Sequence, residues 1–399
     1  MLRLQRLALT NFRNYASLTW RSSGRLSVFC GPNGSGKTNL LEAVSLLVPG
    51  RGLRGARGAD LARQDGPGGW AVAGRFQTTA GIVDIGTGTA PEGGGDRRVF
   101  RLDGAAPRNQ AEIAERAAAV WLTPQMDRLF QEGLSGRRRF LDRLVWALEP
   151  NHASQMAAHD LSVANRNRLL AEGRQDRAWL AGIEDSIARH AVAATASRLD
   201  LVNRLNAALA DGIAGDFPPA RIGLGCPIAD RLANAPALAV EDWLRDSLAA
   251  GRTRDAAAGS TGLGAHRTDM TLRDATTGTP AALASTGEQK SLLIAVILAH
   301  ASVIAQARGF TPLLLLDEPA VHLDPDRRRA LFEALVGLPA QTLMTGTDAE
   351  IFLPLADQAE ALCTGGGTLR IDGRFRADGL IPSPDHDVNA SIPPVPETL

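Results

Sequence analysis

The residues best suited to phosphate chemistry lie near the N-terminus, in a glycine-rich run that ends in lysine and threonine. They match the G-x-x-x-x-G-K-[ST] pattern of phosphate loops and comprise Gly31, Pro32, Asn33, Gly34, Ser35, Gly36, Lys37 and Thr38. In such loops, backbone N–H groups and the positive end of the following helix converge on phosphates. We predict that Lys37 bridges β- and γ-phosphate oxygens, that Thr38 ligates Mg²⁺ and that Asn39 completes the nucleotide-binding set.

Lysine is almost absent elsewhere in the chain. Of 43 lysines and arginines, only Lys37 and Lys290 are lysines. A compact ammonium and a planar guanidinium are not interchangeable in a tight phosphate cradle, so Lys37 marks a position where arginine does not fit. Lys290 is equally consistent with a solvated helix residue.

A second acidic motif follows the apolar run from Leu313 to Leu316. This run shows no alternation, as expected of a central parallel strand, and it ends in Asp317 and Glu318. We predict that Asp317 holds Mg²⁺ through water and that the catalytic Glu318 polarises the attacking water. An acidic turn after a buried strand is the simpler alternative, but the neighbouring phosphate loop favours the nucleotide site.

The surrounding elements are those that position a phosphate loop. A strand at 26–30 runs directly into the loop, and a helix from 38 to 47 follows it. We predict further strands at 2–9, 70–76, 81–85, 97–102 and 341–344, and helices at 113–120, 240–250, 287–308 and 326–337.

The middle of the chain is mainly helical. Residues 145–212 contain one break, at 172–176, and a stripe of apolar residues at helical spacing. An antiparallel helical hairpin is therefore predicted, with residues 212–227 irregular. The proline-rich tail at 381–399 is predicted to be disordered.

Composition favours a soluble cytoplasmic protein with no membrane partner. The formal net charge is zero and 44% of residues are hydrophobic, so no global basic field indicates nucleic acid. The cysteines Cys30, Cys226 and Cys363 lack C-x-x-C spacing, which argues against zinc and disulfides. The most apolar stretch, 292–304, is too short to span a bilayer.

Two short motifs flank the second acidic motif. Ser285 and Gly287 lie in Ser-Thr-Gly-Glu before it, and Leu323-Asp324 follows it. Alone, Ser-Thr-Gly-Glu is a helix cap with an acidic first turn; in this order, it also provides a second anion site. The sequence here resembles the ABC ATPase superfamily. Ser285 and Gly287 then belong to the signature motif, and Asp324 to the D-loop, both of which contact nucleotide across an ATP-sandwich dimer.

Within that superfamily, the chain resembles the RecF family of the SMC/Rad50-like branch, collinearly from residue 2 to about 350. The matching stretches are 9–15, 31–43, 123–125, 136–142 and 265–270. The sequence departs from transporter ATPases after strand 341–344, where no switch histidine occurs. Thr347 is therefore the candidate γ-phosphate sensor.

The resemblance implies an α/β fold: an ABC-type ATPase head with a β-rich subregion and a second, mainly helical lobe. The ATPase lobe is expected at 1–144 and 236–380, and the helical lobe at 145–235. Gln125 would be the Q-loop residue that contacts Mg²⁺ or its water. Arg13 either approaches the nucleotide or is a surface arginine.

The resemblance also implies ATP-dependent dimerisation, DNA binding and slow, DNA-stimulated hydrolysis that releases DNA. RecF proteins act in DNA repair, replication, recombination and the SOS response, and help RecO and RecR to load RecA at single-strand gaps. For DNA we favour the basic run after the first helix, Arg51, Arg54, Arg57 and Arg63. Like the runs at 137–143 and 327–329, it is also consistent with a solvated face. Contacts would be mainly to phosphates and salt-sensitive.

Three other classes of ATPase fit less well. In transporter subunits the phosphate loop and the signature serine lie much closer than the 248 positions between Lys37 and Ser285. Chromosome-organising and break-repair ATPases have far longer coiled coils. A nuclease of the overcoming-lysogenisation-defect type would need an acidic metal-binding domain after Glu318, and none follows.

Overall fold

The computed structural model describes residues 2–90, 97–173 and 176–374, with side chains to residue 370. In chain order, the strands are β1 (Arg3–Phe12), β2 (Tyr15–Arg21), β3 (Leu26–Cys30), β4 (Ala71–Thr78), β5 (Gly81–Thr89), β6 (Arg98–Leu102), β7 (Ala119–Leu122), β8 (Ala220–Gly225), β9 (Asp269–Asp274), β10 (Leu313–Leu316), β11 (Thr342–Gly346), β12 (Ala359–Gly365) and β13 (Thr368–Arg374).

The α-helices are α1 (Lys37–Leu46), α2 (Gln110–Ala114), α3 (Leu134–Leu148), α4 (His152–Ala171), α5 (Arg177–Ala210), α6 (Pro227–Leu232), α7 (Ala237–Ala250), α8 (Arg252–Ala258), α9 (Thr286–Arg308) and α10 (Pro325–Gly337). The predicted disordered tail at 381–399 lies outside the described residues.

The chain divides into two compact units. The first comprises Met1–Asp127, Ala214–Phe217 and His300–Leu399, and the second comprises Arg128–Ile213 and Pro218–Ala299. The second unit is broader than the helical lobe predicted at 145–235, because α3 packs against α4 and α5, and β9 packs against α3 and β8.

The first unit contains an antiparallel sheet in the order β2-β1-β4-β5-β6. Alternate residues of β1 explain its amphipathic character: Leu7 and Leu9 are buried, whereas Thr10 is exposed and Ala8 is half-buried. Strand β2 was not predicted from the sequence. It pairs with β1 through the tight turn after Phe12.

A six-stranded sheet in the order β13-β12-β3-β11-β10-β7 forms the core of the first unit. All its strands are parallel to their neighbours except β13, which pairs antiparallel with β12. Every residue of β3, β10 and β11 is buried, as in a sheet covered on both faces. Their carboxyl ends lie at one edge, where ligands bind in open α/β sheets.

The helix predicted at 113–120 is wrong after residue 114. Helix α2 ends at Ala114, and residues 119–122 form β7 beside β10. Val120 and Trp121 are β-formers that are buried in the sheet. Tertiary pairing therefore outweighs the local helical pattern.

The second unit is built around the predicted hairpin of α4 and α5. The predicted stripe on α5 is buried except at Ile183, which is half-buried. Ile187 and Ala191 belong to one apolar cluster with Val240 and Leu244 of α7. The irregular segment predicted at 212–227 contains a strand, β8, because β9 supplies its antiparallel partner. Fully buried Arg166 donates to Glu184, Asp255, Thr261 and the Leu248 carbonyl.

Helix α9 is long and apolar enough to cross a membrane, because it extends beyond the apolar stretch at 292–304 on both sides. It is mostly buried, as the core helix of a soluble protein would be. The solvated position considered for Lys290 is wrong: only 1% of this residue is exposed.

Candidate nucleotide-binding site

The phosphate loop between β3 and α1 requires glycine where the backbone turns. Gly36, immediately before α1, has φ 103°, in the left-handed region. A Cβ atom at Gly36 would lie 2.4 Å from the side-chain nitrogen of Asn14. Conformation and close packing therefore both exclude larger residues.

The β1–β2 turn holds the phosphate loop in place. The Tyr15 hydroxyl donates to the Gly36 carbonyl at 3.2 Å, and the Asn14 amide donates to the Ser35 carbonyl at 3.3 Å. Asn39 donates to the Asn14 oxygen at 2.8 Å. Burial raises the pKa of Tyr15, which keeps the phenol protonated as a donor. The sequence assigned no such role to Asn14 or Tyr15.

Lys37 lies within the loop. Its ammonium group donates to the carbonyls of Gly31 and Pro32 at 2.6 and 2.9 Å, and only 5% of the residue is exposed. Ser35 is hydrogen-bonded to Thr364 of β12 at 2.7 Å. The loop is therefore anchored on both sides, with Lys37 at its centre.

Two of the three predicted metal ligands, Thr38 and Asp317, meet at the carboxyl ends of the core strands. The Thr38 hydroxyl donates to Asp317 Oδ1 at 2.9 Å, and the Thr345 hydroxyl donates to the same oxygen at 2.7 Å. Hydroxyl and carboxylate oxygens are the ligand type that Mg²⁺ prefers. The arrangement therefore fits Mg²⁺, with Thr38 and Asp317 as its protein partners.

Thr345 is a site residue that the sequence analysis missed. It is fully buried near the end of β11, which lies next to β10 in the sheet. Sheet order is a tertiary property, and the chosen candidate, Thr347, lies two residues further on. The available signal was a threonine that follows the apolar pair Leu343 and Met344 near the end of a strand.

Glu318 has a strained backbone. Its φ is 50°, uncommon for a residue other than glycine. Its N–H donates to Thr345 Oγ1 at 2.9 Å, which helps to fix this conformation. Glu318 lines one pocket with the residues from Asn33 to Asn39, as a residue that acts on a bound phosphate must.

Arg54, which the sequence analysis placed among the candidate DNA-binding residues, lines this pocket. It donates to Asn39 at 2.7 Å and to Glu42 at 3.2 Å. Arg13 donates to both carboxylate oxygens of Glu42, at 2.9 and 2.7 Å. Glu42 on α1 is 1% exposed, so it is a buried acid shared by two arginines. Arg13 thus supports α1 and is not in the pocket lining.

The other candidates of the first unit lie outside the pocket lining. Gln125 and Thr347 are exposed, although each follows the carboxyl end of a core strand. Asp324 caps α10 by accepting from the Arg327 N–H at 2.8 Å. The remaining arginines of the basic run are exposed at Arg51 and Arg57 and half-buried at Arg63.

In the second unit, the signature motif is a complete capping box. The exposed Ser285 hydroxyl and N–H both donate to Glu288 at 2.9 Å, and the Glu288 N–H donates back at 3.4 Å. Gly287 lies in the first turn of α9 and is half-buried. Ser285 and Glu288 therefore cap the N-terminus of α9, as the simpler interpretation of this motif predicted.

Comparison with known proteins defines the class. The family model described as "AAA domain, putative AbiEii toxin, Type IV TA system" matches residues 26–352, and the chain belongs to this ATPase family. A solved RecF–ATP structure has a TM-score of 0.78 at 21% identity, covering 93% of this chain and 99% of that one. A Smc head domain from Pyrococcus furiosus has a TM-score of 0.50 at 14% identity, covering 92% and 95%. The fold is that of an ABC-type P-loop ATPase head.

Curated relatives specify the family within this class. The DNA replication and repair protein RecF of Mesorhizobium japonicum is 47% identical over 92% of this chain and 97% of its own length. RecF of Allorhizobium ampelinum is 44% identical over 92% and 98%. The chain belongs to the RecF family of DNA replication and repair proteins.

Proposed function

We propose that this chain is an ATP-dependent DNA-binding protein of recombinational repair, in which ATP and Mg²⁺ bind at the phosphate loop. The main support is the meeting of Thr38, Asp317 and Thr345 within hydrogen-bonding distance, beside a pocket lined by Lys37 and Glu318. Mg²⁺ held by Thr38 and Asp317 would neutralise phosphate charge. RecF structures solved with ATP and the analogue ATPrS belong to the same fold.

The protein groups divide the chemistry between binding and hydrolysis. Lys37 exchanges its loop carbonyls for phosphate oxygens, while loop N–H groups orient the phosphates. Glu318 accepts a hydrogen bond from the attacking water and takes its proton as water attacks phosphorus. Arg54 lines the same pocket while it donates to Asn39 and Glu42, so it adds positive charge beside the bound phosphates. Gln125 and Thr347 complete the set only if their loops move towards the nucleotide.

Dimerisation supplies the second wall of the pocket. Exposed Ser285 and the first N–H groups of α9 form an anion-binding helix end that suits the γ-phosphate held by a second copy. Gly287 permits close approach, and Asp324 lies in the loop expected at the same contact. Hydrolysis removes the shared phosphate, and the two copies separate.

DNA binding follows from the dimer state. The ATP-bound dimer acts as a clamp: it closes on duplex DNA or a single-strand gap and opens after slow, DNA-stimulated hydrolysis. With RecO and RecR, the protein helps to load RecA in the cytoplasm. The solved RecF structures are described as recombination mediators of the RecFOR pathway, which supports this assignment.

Sedimentation with and without ATP and a gapped duplex tests the proposal. Glu318→Gln should retain ATP binding, lower hydrolysis at least about 100-fold and remain dimeric with ATP. Ser285→Arg should bind ATP but stay monomeric. The matched control is Glu333→Gln, an exposed glutamate of α10.

Two results would reject the clamp. One is that the Glu318→Gln protein stays monomeric with ATP at all protein concentrations. The other is that the isolated wild-type monomer hydrolyses ATP at the full rate. A dimer that forms with ATP but ignores DNA would retain the ATPase assignment and remove the DNA-binding one.

A further inference from the structure

The outward-facing side of the antiparallel sheet is strongly cationic. The strands β1, β2, β4, β5 and β6 contain one acidic residue, Asp84, and six arginines. Arg98 alone among these arginines is tied to carbonyls of the α1 end, at Leu46 and Gly50. We call the other five the arginine face: Arg3, Arg6, Arg21, Arg75 and Arg101.

Strand register places three of these arginines in one row. Arg6 of β1 pairs directly with Arg21 of β2 on one side and with Arg75 of β4 on the other. The row continues to Asp84 of β5, which binds Arg75 at 2.7 Å. Because neighbouring strands lie about 4.8 Å apart, the backbone positions of these three arginines fall within about 10 Å of one another.

This row opposes folding. Like charges placed directly opposite one another in a sheet are destabilising. Within the described parts of the chain, Arg3, Arg6 and Arg21 have no carboxylate within ion-pair distance. Asp84 attracts Arg6 as well as Arg75, but one carboxylate faces three arginines in this row, and an external anion would offset the remaining positive charge.

The shape of the face selects the kind of anion. The next row consists of Thr19, Ala8, Ala73 and Gly86, followed by Arg101 on β6. These small residues place no bulky side chain between Arg101 and the row of Arg6, Arg21 and Arg75. Arginines spread over four strands suit a polymer of phosphates better than a small anion, which needs a converging pocket.

An acidic protein is a poorer fit. Protein interfaces depend on aromatic or large apolar anchors at their centre. The only large apolar residue exposed on these described strands is Ile82, near the β4–β5 turn. Arginine forks, in contrast, match phosphate oxygens in geometry and charge.

We infer that the arginine face binds the phosphodiester backbone of DNA. This inference rests on the proposed function and moves the main contact away from the basic run at 51–63, where Arg54 is committed to Asn39 and Glu42. Binding there is largely independent of base sequence, because guanidinium contacts to phosphates carry no base information.

Anisotropy of a labelled duplex, titrated with ATP-bound protein at several salt concentrations, tests the inference. The Arg6→Gln, Arg21→Gln, Arg101→Gln triple variant should lower the slope of log K against log salt by about 2 to 3. Its affinity at low salt should fall at least tenfold, with ATP binding unchanged. The matching variant with lysine at positions 6, 21 and 101 should retain the wild-type salt slope, because lysine keeps the positive charge.

The control triple variant changes Arg108, Arg189 and Arg204 to glutamine. These are exposed arginines with the same total charge, each next to an acid on its own helix or cap. It should retain the wild-type slope. Thermal unfolding of the face variant should be unchanged or shifted upward, because a repulsive row is removed; a structural role would lower it.

Three results overturn the inference. The first is that the face variant binds DNA with the wild-type slope. The second is that the double variant Arg51→Gln, Arg57→Gln loses DNA binding. Either result leaves the proposed function in place. Poly-glutamate that competes as well as duplex of equal charge would assign the face to acidic proteins. Wild-type protein that binds no DNA with ATP would reject the proposed function itself.

Discussion

Thr345 links the two acidic residues of the candidate site. Its hydroxyl donates to Asp317 and accepts from the Glu318 backbone, while the side chain is fully buried. One hydroxyl therefore positions the metal-binding carboxylate and holds Glu318 in its left-handed conformation. Orientation of this kind is a large part of catalysis by positioned groups.

We predict that Thr345→Val lowers ATP hydrolysis at least about tenfold and costs about 1–3 kcal/mol, because the Glu318 N–H loses its partner in a buried site. Thr345→Ser should retain most of both. Thr347→Val is the matched control, since Thr347 is exposed. Steady-state ATPase rates and denaturant unfolding measure the two effects. If Thr347→Val loses hydrolysis and Thr345→Val does not, Thr347 is the residue that senses the γ-phosphate.

The residues that sequence predicted best are those fixed by local spacing. The loop from Gly31 to Thr38 and the Asp317–Glu318 pair each lie at a strand end, and their chemistry follows from that context. Thr345 lies at the site because β11 is next to β10 in the sheet, and Arg54 because the segment after α1 folds back towards the phosphate loop. Spacing along the sequence does not reveal either feature. Lys290 shows the same limit, because helix periodicity did not reveal its burial.

At the scale of elements, α1 connects the phosphate loop to two other segments. Glu42, on its second turn, accepts from Arg13 of the β1–β2 turn and from Arg54 of the segment after the helix. A buried carboxylate is tolerated only when its charge is paired. The helix, the turn and the following segment are therefore held by one acid.

We predict that Glu42→Gln destabilises the protein by about 2–3 kcal/mol, because Arg13 and Arg54 lose a charged acceptor. The comparison is Asp200→Asn, which removes an exposed ion pair with Arg204 and should cost less than about 1 kcal/mol. Urea unfolding midpoints measure both. Equal costs would mean that Glu42 is not the acid that holds these segments.

Element prediction succeeded where periodicity was strong and failed where pairing decided. The α4–α5 hairpin and the all-apolar strand β10 follow from their patterns. Strands β7 and β8 were assigned to a helix and to irregular chain, because each depends on a distant partner, β10 or β9. Long-range pairing is the part of the fold that a single sequence specifies least visibly.

At the scale of the whole molecule, stability should depend on pH through His266. Burial lowers the pKa of this imidazole from 6.5 to about 4, and its Nε2 lies 3.0 Å from the Thr261 carbonyl. Only the unfolded chain takes up a proton between these pH values. The free energy of unfolding therefore falls as the pH drops from 6.5 to 4.

We predict that His266 contributes up to about 3 kcal/mol to this loss and that His266→Gln flattens the dependence in this window. Chemical denaturation at pH 7, 5.5 and 4.5 measures it. His190→Gln is the comparison, since burial also lowers the pKa of this second histidine. An unchanged pH dependence in His266→Gln would assign the acid sensitivity to other groups.

The shared acid Glu42 also constrains how this sequence can be exchanged with those of relatives. Arg13, Glu42 and Arg54 act as one unit, so the effects of changing them should not be additive. A chimera that imports residues 51–63 alone, from a relative with another residue at 54, would leave Arg13 as the remaining arginine partner of Glu42 and weaken the nucleotide helix. Functional hybrids should therefore inherit the three positions together.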